Sequence, residues 1–179
     1  MTAARAAAML AAAVLAACAL PPKSVEGPTG ETLSGRLAVQ VPPEGGAEAR
    51  AVTATFELLG RPDAGQLNLS TPLGTVLGQA RWSPTSVLLV TPQGQRAFAN
   101  LDALTRELLG ESLPVAALFD WLKGRPWPGA PSAPTVPPAE RGFRQLGWVV
   151  SLAGFDEGAI AARRQQPPEV TVRVRLDRP

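Results

Sequence analysis

The sequence predicts an α+β domain in which a curved antiparallel sheet closes over two inserted helices. Three observations carry this expectation. Short runs of period-two hydrophobic alternation follow one another from residue 36 to residue 90, separated by Pro- and Gly-containing turns. The period then changes to that of helices between residues 101 and 122. Strand patterning resumes after a proline-rich stretch and runs to the C-terminus.

The first strand is read from Leu37, Val39 and Val41, which alternate with Arg36, Ala38 and Gln40. The second has Val52, Ala54, Phe56 and Leu58 between Thr53, Thr55 and Glu57. Pro42-Pro43-Glu44-Gly45-Gly46 is a turn, so the two should form a hairpin. Gly60-Arg61-Pro62-Asp63 turns the chain into Gln66–Ser70, and a fourth strand covers Thr75–Trp82. Ser83-Pro84-Thr85 leads to Val87–Val90, which ends at Thr91-Pro92-Gln93-Gly94. These closely spaced strands with tight turns imply an antiparallel meander.

Leu101, Leu104 and Leu108 form a helical stripe, with Asn100 as N-cap and Gly110 as stop. A second helix should start near Pro114, with Val115, Leu118, Phe119 and Leu122 as its apolar face and Gly124 closing it. Both fall below the length that is stable alone in water, so they must pack on the sheet. Residues 124–141 hold Pro126, Pro128, Pro131, Pro134, Pro137 and Pro138 and are expected to form a long loop. Gly142–Leu146, Trp148–Leu152 and a final run on Val170, Val172, Val174 and Leu176 complete the sheet. Arg163-Arg164 falls between runs and is expected to be solvated loop charge, with contact to anionic lipid as the other option.

The 179 residues fit one main domain. Hydrophobic residues make up 45% and charged residues 18%, too apolar for a disordered chain. The formal charge of +2 contains no basic block, so no nucleic-acid partner is indicated. The chain has no histidine and a single cysteine. That excludes histidine-based triads, zinc sites built on His or several Cys, and an internal disulfide framework. Asp102, Glu107, Asp120 and Glu157 could serve a glycosidic enzyme, but nothing marks a pair among them, so no catalytic residue is assigned.

The N-terminus reads as an address. Arg5 precedes the apolar run Ala6–Ala17, which is shorter than the about 20 residues a membrane span requires. The run ends Leu15-Ala16-Ala17-Cys18, which resembles a bacterial lipobox. That resemblance makes residues 1–17 a cleaved signal and Cys18 the lipid-attachment residue. Residues 18–30 become a flexible tether, and residues 31–179 the folded domain. In the same signal family, Asp after the cysteine marks inner-membrane retention. Position 19 is Ala, which favours the outer membrane.

Four features occur in order: the lipobox, Ser34-Gly35-Arg36-Leu37-Ala38-Val39, Thr71-Pro72-Leu73-Gly74, and Leu113-Pro114-Val115 through Trp121-Leu122-Lys123-Gly124-Arg125-Pro126. Together they resemble the LolB family of outer-membrane lipoprotein receptors over nearly the whole mature chain. The resemblance implies a half-open antiparallel β-barrel with short α-helices plugging its mouth. It implies a receptor that takes acylated lipoprotein cargo from a LolA-like periplasmic carrier; a monomer is expected. Cargo is then released into the inner leaflet of the outer membrane, without cofactor, metal or catalysis. It further associates the apolar residue of the Pro-Leu-Gly turn with handing cargo to the membrane.

Physical chemistry names the matching candidates. Leu73, at the tip of a tight turn, either meets lipid or folds back on the core. Phe56, Trp82, Leu118, Trp121 and Trp148 are candidates for an acyl-chain cavity, with ordinary core as the other reading. Gly78 and Ala80 hint at space on the fourth strand. Arg36 and Arg96 are candidates for a headgroup or the carrier's acidic surface, with exposed strand-face arginine as the simpler account. A lipocalin-like lipoprotein that binds a free hydrophobe shares all of these features except a need for the Leu73 tip.

Overall fold

The computed structural model describes residues 30–43 and 48–177. The signal segment, Cys18 and nearly all of the tether lie outside the described residues, as does Glu44-Gly45-Gly46 of the first turn. Strands β1 (Glu31–Val41), β2 (Arg50–Gly60), β3 (Gly65–Ser70), β4 (Val76–Ser83), β5 (Ser86–Thr91) and β6 (Gly94–Phe98) form the meander. Helices α1 (Leu101–Leu109) and α2 (Val115–Trp121) follow. Then come β7 (Ser132–Pro134), β8 (Gly142–Gln145), β9 (Trp148–Ser151), β10 (Ala159–Arg164) and β11 (Val170–Leu176). All eleven strands belong to one antiparallel sheet in the order β6-β5-β4-β3-β2-β1-β11-β10-β9-β8-β7. The first and last strands of the domain pair at its centre, Leu37 opposite Val174 and Val39 opposite Val172.

The sheet curls but stays open, because β6 and β7 are its two edges and do not pair. The curl follows from α2. Phe119 meets Trp82 of β4 edge-to-face with centroids 6.2 Å apart. Two residues on, Trp121 meets Phe143 of β8 and Trp148 of β9, also at 6.2 Å. In a flat sheet β4 and β9 would stand about 29 Å apart, at roughly 4.8 Å per strand. A seven-residue helix, about 10 Å long, cannot span that. The sheet must therefore wrap both halves around α2.

Alternation places Leu37 and Val39, Ala54, Phe56 and Leu58, Leu67 and Leu69, Val172 and Val174 on the concave face, and all are buried. Helix α1 begins as its sequence requires: the Asn100 side chain accepts from the Ala103 N–H at 2.9 Å. It ends at Gly110, whose φ of 87° is left-handed. Helix α2 begins at Pro114 with no side-chain cap. Leu104, Leu109, Val115, Phe119 and Trp121 are buried against the concave face, so the helices are held by packing rather than by propensity.

Three expectations change. Arg163 and Arg164 do not sit in a loop. They end β10, a strand that the Ala-rich run Ala159–Ala162 did not signal and that pairs with both β9 and β11. The stretch 124–141 is not one loop either, since Ser132–Pro134 pairs with Phe143–Gln145 as an edge strand. Proline is tolerated there because an edge strand leaves one row of backbone groups unpaired. Finally, Gly78 does not leave room. A Cβ on it would stand 3.0 Å from Leu108 and 3.1 Å from Leu89, so those side chains already occupy the space.

Candidate functional site

Between the helices and the concave face lie two small apolar cavities. The larger, about 30 Å³, is lined by Phe56, Leu58, Leu109, Leu113, Leu118 and Leu122 among others. The smaller, about 20 Å³, is lined by Leu118, Trp121, Trp148, Ile160 and Val172 among others. Each has the space of about one water molecule. Leu113, Leu118, Leu122, Val172 and Val174 line both. Leu118 is only partly buried, whereas Trp121, its neighbour on the helix, is 2% exposed. Among these shared lining residues, Leu118 is the one that is only partly buried.

Of the five candidate cavity residues, the structure gathers four: Phe56, Leu118, Trp121 and Trp148. Trp82 lines neither cavity. It packs on Gly65 and Phe119, and its indole N–H donates to the Pro62 carbonyl at 3.1 Å, which fixes it as core near the opposite end of the sheet.

Thr71-Pro72-Leu73-Gly74 is a tight hairpin connection. The Gly74 N–H donates to the Thr71 carbonyl, and the Thr71 N–H donates to the Thr75 carbonyl, both at 2.8 Å. Gly74 takes φ 88°, as a three-residue loop with a left-handed third position requires. The Thr71 hydroxyl accepts from the Thr75 N–H. The turn is rigidly tied, and Leu73 at its tip is 96% exposed. It does not fold back on the core.

The arginines divide. Arg36 lies exposed on the convex face of β1. Arg96 is paired with Glu107 of α1 and stacks over Phe98 at 4.7 Å. Arg164 turns inward: it lies over Trp148 at 5.5 Å, donates to the Pro168 carbonyl and reaches Glu111 at 3.5 Å. Arg163 points to the convex side. The carboxylates do not converge. Asp120 is bound by Arg125 at 2.7 Å, Glu107 belongs to Arg96, Asp102 sits in the first turn of α1, and Glu157 lies in the single turn Phe155–Glu157.

Sequence reasoning passed over Gln145. Its side chain is 3% exposed and uses every bond it has. The amide oxygen accepts from the Trp121 indole N–H at 2.7 Å and the Trp127 N–H at 2.9 Å. The amide nitrogen donates to the Trp127 and Ala130 carbonyls at 2.6 and 2.7 Å. One residue thus ties α2 and the proline-rich segment to β8. The signal was present: Gln145 falls on the same strand face as Phe143, a polar residue in an apolar row.

The sequence profile of the family described as "Outer membrane lipoprotein LolB" matches residues 32–178. Proteins named outer-membrane lipoprotein LolB are similar along most of their length. One from Bordetella petrii is 32% identical over 177 residues, covering 93% of this chain and 88% of the relative. One from Bordetella pertussis is 32% identical over 179 residues with the same coverage. One from Neisseria meningitidis is 31% identical over 169 residues, covering 90% and 83%. The match takes in the curled sheet, both helices and the Leu73 turn, and this chain belongs to the LolB family.

Proposed function

We propose that this protein is a lipid-anchored receptor of the outer membrane that accepts lipoproteins from a LolA-like periplasmic carrier and inserts them into the inner leaflet. The observation that carries this is a pair of adjoining apolar cavities that share Leu118 in their lining, beneath helices marginal on their own, in a member of the LolB family. The curled sheet acts as a half-open barrel and α1 and α2 as its plug. Shifting α2 merges the two cavities and lets acyl chains lie against Phe56, Leu118, Trp121 and Trp148. Hiding a chain there gains about 0.8 kcal/mol per methylene, and the bilayer is the better sink that draws cargo onward. Transfer makes and breaks no covalent bond, so it requires no cofactor or catalytic group.

Cys18 is the attachment residue for the anchor, residues 1–17 the signal removed before it, and residues 18–30 the tether to the domain. Leu73 delivers. A leucine held 96% exposed on a tied turn gains roughly 1.5–3 kcal/mol on entering lipid. The helix–helix connection opens toward the end of the sheet that carries this turn. Gly110 packs on Arg50 there, and Glu111 reaches Arg164.

The test mixes the protein with a purified carrier–lipoprotein complex and follows labelled cargo, first to the protein and then to liposomes. Leu73→Glu should capture cargo normally and fail to deliver it. Equal delivery by both versions refutes the role of Leu73. If the protein binds a free fatty acid but takes no cargo from the carrier, the receptor function itself is refuted in favour of a lipocalin-like one.

A further inference from the structure

The large apolar side chains left exposed among the described residues are Leu73, Val76, Val136 and Leu146. Strand direction and register put three of them at one end of the sheet. Leu73 belongs to the β3–β4 connection, Val76 is the first residue of β4 beside it, and Leu146 belongs to the β8–β9 connection. Both connections leave their strands at the end where β10 turns into β11 and β1 into β2. Val136 lies between β7 and β8, at the opposite end.

Leu146 is held there against its backbone preference. Leu146-Gly147 is a two-residue hairpin turn with φ 54° and 78°. Such turns take Asn or Gly at the first position, because a branched side chain crowds the following carbonyl when φ is positive. Leu146 is the one non-glycine residue with positive φ among the described residues, and it is 45% exposed. Neither the turn nor the core explains a leucine at this position.

The convex face beside it carries more cations than anions, although Glu169 of the β10–β11 connection is exposed at the same end. On the convex face below the turn, Arg144 of β8 and Arg163 of β10 flank Val149 of β9. Both are exposed and form no ion pair among the described residues. Arg173 of β11 lies next to them and donates to the Gln40 side chain at 2.9 Å. These residues line an open groove of about 580 Å³. Glu140, which also lines it, accepts from the Ser151 hydroxyl. An apolar tip above unpaired guanidinium groups fits a bilayer surface: leucine enters the acyl region while arginine stays with lipid phosphates. An acidic protein would engage the arginines but would leave no reason for a strained, exposed leucine.

We infer that the Leu146-Gly147 turn, with Arg144 and Arg163 beneath it, is a second membrane-docking site that meets an anionic lipid surface at the same end of the fold as Leu73. This rests on the reading that Leu73 enters lipid, and the experiment separates the two. The processed, lipid-anchored protein is reconstituted in vesicles containing phosphatidylglycerol, with a bimane probe on Leu73→Cys, Leu146→Cys or Val136→Cys. Quenching by spin-labelled lipid is then measured. Probes at 73 and 146 should be quenched and the probe at 136 should not. Quenching at 73 without quenching at 146 overturns the second site and leaves the first standing. Quenching at neither removes both.

A second variant guards against a merely structural effect. Leu146→Asn suits the turn and should raise the Tm, yet cargo delivery to these vesicles should fall at least about threefold. Delivery at the unsubstituted rate overturns the inference. Arg163→Ser should slow delivery to phosphatidylglycerol vesicles and leave phosphatidylcholine vesicles unaffected. An equal loss on both overturns the anionic-surface assignment.

Discussion

Gln145→Leu removes the bonds that tie α2 and the proline-rich segment to β8 while keeping a side chain of similar size. Four groups lose their partner: the Trp121 indole N–H, the Trp127 N–H and carbonyl, and the Ala130 carbonyl. They are not equivalent. Trp121 is 2% exposed, so its indole N–H stays dry and costs about 1–3 kcal/mol unpaired. Trp127 and Ala130 are half-buried, so water can replace part of what they lose, at about 0.5 kcal/mol each. The sum is about 3 kcal/mol, a large share of the 5–15 kcal/mol that holds a typical domain. Urea unfolding followed by tryptophan emission should show a midpoint lower by about 1–3 M, given slopes of roughly 1–3 kcal/mol/M. Amide exchange in residues 127–130 should accelerate beyond the global change, because the polar ties of that segment to the sheet run through Gln145. A stability loss under about 1 kcal/mol, with exchange at 127–130 unchanged, would refute the assignment of Gln145 as the tie.

Two further outcomes follow from the same packing. Thr105 is 1% exposed and its hydroxyl accepts from the Leu113 N–H at 3.0 Å, so Thr105→Val should cost about 1–3 kcal/mol in urea unfolding by orphaning a buried donor at the helix–helix connection. Leu118→Trp adds bulk at a residue that lines both cavities; since Leu118 is only partly buried, stability should change by no more than about 1–3 kcal/mol while uptake of cargo from the carrier is lost.

Much of the fold could be read because its signals are local. Alternation on β1 through β5 and on β11, the Asn100 cap and the Gly110 stop each depend on a few adjacent residues, and the structure uses each as expected. What could not be read is what depends on partners far along the chain. Strand β10 is Ala159-Ile160-Ala161-Ala162-Arg163-Arg164, without strong propensity, and exists because β9 and β11 flank it. Strand β7 contains Pro134 and exists because β8 offers a free edge. Within the site, Leu73 was legible because Pro72 and Gly74 fix its turn. Trp82 was a cavity candidate on hydrophobicity alone, which does not distinguish a lining residue from packed core, the other reading the sequence allowed. Its place beside Gly65 follows from the β3–β4 register, Gly65 opposite Trp82.

The nearly filled interior also fits the energetics of a receptor. An empty apolar bowl would expose Phe56, Leu58, Leu67, Val172 and Val174 as one patch, an aggregation hazard in a protein waiting for cargo. Helix α2 and its lead-in cover that patch with Leu113, Val115, Leu118, Phe119, Trp121 and Leu122. At roughly 1.5–3 kcal/mol per buried side chain, the cover is worth about 9–18 kcal/mol. An acyl chain of about fifteen methylenes is worth about 12 kcal/mol on the same scale. These are comparable, so thermal motion alone will not open the plug to any useful extent, whereas one chain offsets most of the displacement and two exceed it. The element being displaced adds little resistance of its own. It has seven residues, no side-chain cap at its start, and one polar tie to the sheet through its Trp121 indole. On the proposed reading the plug stands in for cargo, and Gln145 is expected to set how readily it gives way.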